Sequence, residues 1–221
     1  MDSNKVAFII CVNNNRMYHE AEIYIKSLDI PTGFTFEIIP IYNAKSMTSG
    51  YNCGMKKTDA KYKIYLHQDI FIINKYLIQD ILNIFSNEKI GMIGLAGSED
   101  IPANGKWWCA INRLGKVIHL FEDYSFFENV FGIRNEPFSK VKLIDGMLIA
   151  TQYDIKWRED LFDGWHFYDV SQSMEFIKNN YYVVVPNVDK SWVMHACGDK
   201  EIDENYYKYC ECFLKEYVDI I

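Results

Sequence analysis

His67, Gln68 and Asp69 close an apolar run that begins at Lys61, and a second apolar run, Ile70 to Ile73, follows at once. Side chains two apart on a strand point the same way, so His67 and Asp69 face one side. A histidine and a carboxylate can together ligate a divalent cation. Open α/β sheets bind ligands just beyond the carboxyl ends of their strands. The pair therefore predicts a polar, metal-competent site on the rim of a sheet. The plainer reading is a strand-end histidine with an aspartate capping the next segment.

Three other places carry candidate chemistry. Trp165-His166-Phe167-Tyr168-Asp169 sets a carboxylate among aromatic rings, just before a helical pattern. Asp169 there is a candidate general base on a hydroxyl, beside aromatic faces suited to sugar rings. It is equally an N-cap, worth about 1 kcal/mol. A cap lowers a carboxylate's pKa, whereas burial raises it. His195 ends a short apolar strand and becomes a remote metal ligand if the fold brings it to Asp69. At Asp145-Gly146 the glycine either leaves room for an acceptor or marks a bulge. The chain has no G-x-G-x-x-G, no Walker lysine loop and no G-x-S-x-G elbow, so dinucleotide, P-loop and α/β-hydrolase chemistry lack sequence support.

The bulk properties narrow the class. The 221 residues carry a formal charge of −7, which disfavours nucleic acid and anionic lipid as partners. At 49% apolar the chain can build a real core, and no apolar run reaches the length of a membrane span. Val6 to Val12 lacks the flanks of a signal peptide and reads as a buried first strand. Six scattered cysteines read as reduced thiols in a cytoplasmic protein. Cys210-x-Cys212 is too closely spaced for an ordinary zinc pair.

The elements that must position these residues follow from periodicity. Strands are predicted at Lys5–Val12, Phe34–Ile41, Lys61–Leu66, Lys89–Ala96, Tyr181–Val185 and Trp192–His195, with strand character resuming from Val141 to Thr151. Helices are predicted at Arg16–Leu28, after a Ser46 N-cap, at Asn74–Phe85, at Val170–Asn179 with Asp169 as its cap, and at Glu201–Val218. Gly50 and Gly54 in the second helix imply close approach by backbone or ligand. Trp107-Trp108 and Val117–Phe121 read as short antiparallel strands with a turn at Leu114-Gly115-Lys116, and Tyr124 to Pro137 as irregular. Strand, helix, strand with short connections implies parallel pairing. No linker or repeat divides the chain, so it reads as a single domain.

Val6-Ala-Phe-Ile-Ile-Cys-Val-Asn13, Ala44 to Met55 and Tyr62 to Asp69 together resemble the donor half of family-2-like glycosyltransferases with the GT-A fold. Asp145-Gly-Met-Leu, Leu161 to Asp169 and Trp192-Val-Met-His195 resemble the acceptor half. The resemblance covers nearly the whole chain and is nearest a bacterial glycosyltransferase-like branch with His-Gln-Asp in place of Asp-x-Asp. It implies an α/β, Rossmann-like fold. The central sheet would be mixed and mostly parallel, flanked by helices, with a small antiparallel sheet on the acceptor side. The donor half would span about residues 1–100 and the acceptor half about 101–221.

The same resemblance implies the site. Val12, Asn13, Lys45, Ser49, Asn52, His67 and Gln68 would bind a nucleotide-sugar donor, a UDP-sugar foremost. Asp69, His195 and His67 would hold Mn²⁺ or Mg²⁺. Asp145, Gly146, Trp165, His166 and Tyr168 would line the acceptor side, with Asp169 as catalytic base in an inverting displacement. The acceptor would be a glycan, a lipid-linked saccharide or a protein. The acceptor half is short enough for a homodimer or a partner subunit to complete it. Two alternatives stand beside this: a carbohydrate-binding module with a decayed site, and a sugar nucleotidyltransferase. The latter would want a Gly-rich basic loop after the first strand, which Asn13-Asn14-Asn15-Arg16 is not.

Overall fold

Val6 to Val12 are all buried, and their side chains divide between two cores. Val6, Phe8, Ile10 and Val12 enter one, and Ala7, Ile9 and Cys11 the other. A strand covered on both faces needs apolar residues at every position, which is why this run is continuous rather than alternating. The computed structural model describes residues 1–121, 123–132, 134–196 and 203–219. In it, β1 (Asp2–Val12) leads into α1 (Asn15–Lys26), β2 (Thr35–Tyr42), α2 (Met47–Lys56) and β3 (Ala60–His67). Both β2 and β3 pair with β1 in parallel, as the strand–helix–strand order requires.

The helix α2 lies hard on β1. A Cβ at Gly50 would collide with Cys11 Sγ, and one at Gly54 with Ile9 Cγ2. The two glycines therefore serve close helix–sheet packing. Ser46 caps α2 in a reciprocal capping box with Ser49. On β3, Tyr62, Ile64 and Leu66 pack into one core and Tyr65 into the other. Lys63 is fully buried on that second face, with its ammonium on Asp154 at 2.7 Å and on the Ala60 carbonyl at 2.6 Å.

After β3 come β4 (Ile70–Ile72), α3 (Leu77–Phe85), β5 (Ile90–Gly94), β6 (Ala96–Ser98), β7 (Arg113–Leu120), β8 (Phe126–Gly132), β9 (Phe138–Val141), β10 (Leu143–Ile144) and β11 (Leu148–Thr151). The chain closes with α4 (Tyr168–Lys178), β12 (Tyr182–Pro186), β13 (Val193–His195) and α5 (Glu204–Glu216). The central sheet has the order β2-β1-β3-β11-β5-β12-β9. It is mixed and mostly parallel: five of its seven strands, β2, β1, β3, β5 and β12, run the same way. The returning strand β11 inserts antiparallel between β3 and β5, and β9 adds antiparallel to β12. The second sheet, β10-β6-β7-β13-β4 with β8 on β7, is as broad as six strands and holds one parallel pairing, β13 with β7.

Several local expectations are corrected. Trp107–Cys109 is a single 3-10 turn rather than a strand. Leu114-Gly115-Lys116 lies inside β7. Gly115 sits there at φ +121°, where the pairing with β8 shifts register; a glycine that reads as a turn is a bulge. The segment read as irregular contains β8. The α4 helix begins one residue before Asp169, with Phe167 at its N-cap. The predicted start of the last helix at Glu201, and Cys197 among the thiols, lie outside the described residues. Cys11, Cys53, Cys109, Cys210 and Cys212 are free. Among the described residues no helix is long and apolar enough to cross a membrane.

Candidate active site

The chain crosses from one sheet to the other between His67 and Ile70. β3 belongs to the central sheet and β4 to the second, so His67, Gln68 and Asp69 sit at the seam. The β4 strand pairs antiparallel with β13, matching Ile70 to His195, and the Ala196 N–H donates to the Asp69 carbonyl at 2.9 Å. That pairing brings a histidine from near the chain's end onto Asp69. His195 Nε2 lies 3.6 Å from Asp69 Oδ1, and His67 Nδ1 lies 3.9 Å from the same oxygen.

One ligand atom from each of His67, Asp69 and His195 lies within 4.8 Å of the others. Two ligands at about 2.0–2.2 Å from a cation can be at most about 4.4 Å apart. The cluster thus needs only a small adjustment to close on one ion. His67 Nε2 meets the Tyr168 hydroxyl. With Nδ1 turned to a cation, Nε2 carries the proton and its N–H donates a hydrogen bond to the Tyr168 oxygen, the usual way a ligating imidazole is oriented. His119, on β7 opposite His195, extends the row of rings at 6.0 Å between centroids.

The opposite wall is the start of α4. Phe167 adopts a left-handed φ of 59°, buried against Tyr206 and Phe213 of α5. Such a conformation costs a non-glycine residue about 1–3 kcal/mol and is held by its surroundings. It turns Tyr168 and Asp169 into the first helical turn. Tyr168 is buried against Tyr51 and Trp157. A Cβ at Gly146 would collide with the Tyr168 phenol, so the glycine makes room for that ring. Burial, and next the Asp145 carboxylate, raise Asp169 to about 7, against the pull of the backbone N–H groups of Val170, Asp169 and Gly146. A carboxyl tuned near neutrality suits proton abstraction at physiological pH.

Two connected spaces meet here. A cleft of about 880 Å³ is lined by Val12, Asn13, Asn43, Met47, Gln68 and Asp69. A side chamber of about 190 Å³ is lined by Asp145, Gly146, Tyr168, Asp169, Trp107 and Tyr206. His67, Trp108, Asp145, Trp165, His166 and His195 belong to both walls. Gln68 spends its amide on the loop after β1: its Oε1 accepts from the N–H groups of Asn13 and Asn14 at 2.9 and 2.8 Å.

Not every expected residue reaches the cleft. Lys45 is exposed outside its lining, and Ser49 is engaged in the α2 cap. Asn52 is buried, its amide bridging the backbone of Trp157 at 2.9 and 3.0 Å. Trp108 was not anticipated, because the tryptophan pair read as a strand. Its neighbour Trp107 points into the core while Trp108 stays 39% exposed at the mouth.

The model of the "Glycosyltransferase like family" matches residues 7–217. No curated protein matches the chain in sequence. Among solved structures, S. aureus TarS is similar at 11% identity over 98% of this chain, with a TM-score of 0.56. This chain spans only 44% of the TarS chain. The Pyrobaculum calidifontis mannosyltransferase PcManGT, in complex with GDP-Man and Mn²⁺, is 8% identical over 94% of this chain and 60% of its own, with a TM-score of 0.55. The catalytic domain of Drosophila β1,4-galactosyltransferase 7, in complex with xylobiose, is 11% identical over 94% and 79%, with a TM-score of 0.59. At such identities the likeness is one of fold.

Proposed function

This chain belongs to the glycosyltransferase-like family, and we propose that it moves a sugar from a nucleotide-sugar to an acceptor hydroxyl, with inversion and with a divalent cation. The observation that carries the reading is the opposed pair of walls. A His-Asp-His cluster stands on one side, and a carboxyl raised toward neutrality stands on the other, across a shared opening. Two relatives in fold bind such donors: TarS was solved with UDP-GlcNAc and PcManGT with GDP-Man and Mn²⁺.

His67, Asp69 and His195 would hold the cation; two imidazoles favour Mn²⁺ over Mg²⁺, which prefers oxygen ligands. When bound, it supplies Lewis-acid charge next to the leaving diphosphate. The cleft at Val12, Asn13 and Asn43 takes the nucleoside, with Gln68 holding the loop after β1 in place. In the side chamber Asp169 receives the proton of the acceptor hydroxyl. That oxygen forms the new bond to the anomeric carbon while the bond to the diphosphate breaks, and the electron pair leaves with the diphosphate.

The test is a thermal-shift panel of UDP, GDP, CDP and dTDP, each with and without Mn²⁺, on wild type and Asp69→Ala. A ligand that binds only the folded state stabilises it by about 2.7 kcal/mol at a hundredfold excess over Kd. The expected result is a metal-dependent shift with one nucleotide that disappears in Asp69→Ala. No shift with any nucleotide would sink the transferase reading.

A further inference from the structure

We propose that the acceptor is the uncharged pyranose end of a glycan, held by its ring faces against Trp108 and Trp165; this rests on the transferase reading above. Size comes first. The side chamber, at about 190 Å³, is smaller than the roughly 300–1,000 Å³ of a drug-sized ligand site. It takes one ring, not an extended chain, and the rest of an acceptor must lie along the mouth.

The mouth is built for a ring. Trp108 and Trp165 are 39% and 44% exposed, and both line the chamber and the cleft. Trp108 is fixed edge-on to Trp107 at 6.2 Å and against Tyr206 at 5.7 Å. Its carbonyl accepts from the Arg113 guanidinium at 3.1 Å. A pyranose has apolar C–H faces and a polar hydroxyl rim. Flat, rigid aromatic surfaces match the faces at little entropic cost.

The charge inside matches the rim. Asp145 and Asp169 are the carboxylates of the chamber, and among the described residues no lysine or arginine lines it. The nearby Lys106 ammonium lies over the rings of Tyr206 and Tyr207, 5.1 Å from each. His166 faces Asp203 at 3.3 Å. Carboxylates accept hydrogen bonds from hydroxyls. In the metal-free protein a phosphate or carboxylate placed beside them would meet like charge, with no lysine or arginine among the described lining residues to offset it. The chamber therefore selects neutral sugars over acidic ones.

The experiment is saturation-transfer NMR at pH 8 in EDTA, without donor. It uses methyl glucoside, galactoside and N-acetylglucosaminide, each compared with a methyl glucuronide and a sugar 6-phosphate. At least one neutral pyranoside should receive saturation on its ring C–H protons. Affinity should fall at least tenfold in Trp108→Ala and Trp165→Ala, and recover in Trp108→Phe and Trp165→Phe, whose folding is checked by thermal melts. The acidic analogues should bind at least tenfold more weakly, and that gap should narrow in Asp145→Asn. An acidic sugar that binds as well as its neutral counterpart overturns the proposal. So does neutral-sugar binding that ignores both tryptophan-to-alanine changes, or the absence of any neutral-sugar signal. Asp69→Ala should lose the nucleotide shift and keep the pyranoside signal. Pyranoside binding without any nucleotide shift in wild type would end the transferase reading alone.

Discussion

Asp169→Asn should inactivate the protein and stabilise it at once, and the stabilisation should depend on pH. The structure holds the Asp169 carboxyl at about 7, against an ordinary value of 3.8, because it is buried and faces Asp145. The raised value means that the folded state resists ionisation. Below about pH 4 the carboxyl is protonated both folded and unfolded, and nothing is lost. As pH rises from 4 toward 7 the unfolded chain ionises and the folded one does not, so stability falls. Above about 7 the loss is complete. A difference of about 3 pKa units at about 1.4 kcal/mol each gives about 4 kcal/mol as an upper bound. Asp169 keeps part of its surface in solvent, and screening cuts this to roughly 2 kcal/mol. Asparagine carries no charge and keeps an oxygen for the backbone N–H groups, so it should recover that amount. For a chain of this length, 1 kcal/mol moves the melting midpoint by about 2–4 °C. The midpoint of Asp169→Asn should thus rise by roughly 4–8 °C at pH 8 and by no more than about 2 °C at pH 4.5, in EDTA and without ligands. Transfer should drop by about 10²–10⁴-fold, the usual worth of a positioned base. In wild type, kcat/KM should rise with pH and level off above about 7. A shift equal at both pH values would show that the carboxyl is not held protonated. A variant that keeps its activity would remove Asp169 from the chemistry.

Two further predictions concern the shell around that site. Tyr168→Phe removes the hydroxyl on His67 Nε2 and should weaken Mn²⁺ binding by about 10–100-fold in calorimetry or EPR titration; unchanged affinity would show that His67 needs no orienting partner. Gly146→Ala places a methyl in the space of the Tyr168 phenol. It should cost about 1–3 kcal/mol in urea unfolding and weaken Mn²⁺ binding in the same direction as Tyr168→Phe. A variant as stable as wild type would mean that the ring has somewhere to go.

The donor-side scaffold was legible because its signals are local. The β1 run is apolar at every position, α1 has an apolar face, and Ser46 announces α2 with a capping side chain. These fix β1, α1, β2, α2 and β3 within a residue or three of where they lie. The second half was less legible because its order comes from distant pairings. β8 owes its place to β7 rather than to an alternating pattern of its own; Phe126, Phe127 and Val130 are all exposed. β11 carries no mark in its residues that it will run antiparallel between two strands of a parallel start. Gly115 reads as a turn in any local window, and only the strand beside it shows a bulge.

The same contrast explains which site residues could be found. His67 ends β3 and Asp69 lies two residues on in the turn to β4, so closeness in sequence already sets them near each other. His195 is harder. Its place follows from the short β13 strand pairing with β4, the three residues that directly follow the His-Gln-Asp turn. That adjacency has a physical logic. A turn that hands the chain from one sheet to another leaves its side chains at a seam, and the strand that covers the seam delivers the next ligand. Asn52 shows the opposite error. A polar residue on a glycine-bearing helix near the donor side reads as a ligand contact, yet its amide satisfies the backbone of Trp157. That tryptophan packs on Tyr51, Tyr65 and Tyr168, and Tyr168 in turn touches His67. The buried amide thus braces the aromatic stack behind the metal-competent histidine, and no spacing rule could have reported a chain of contacts spread over four segments.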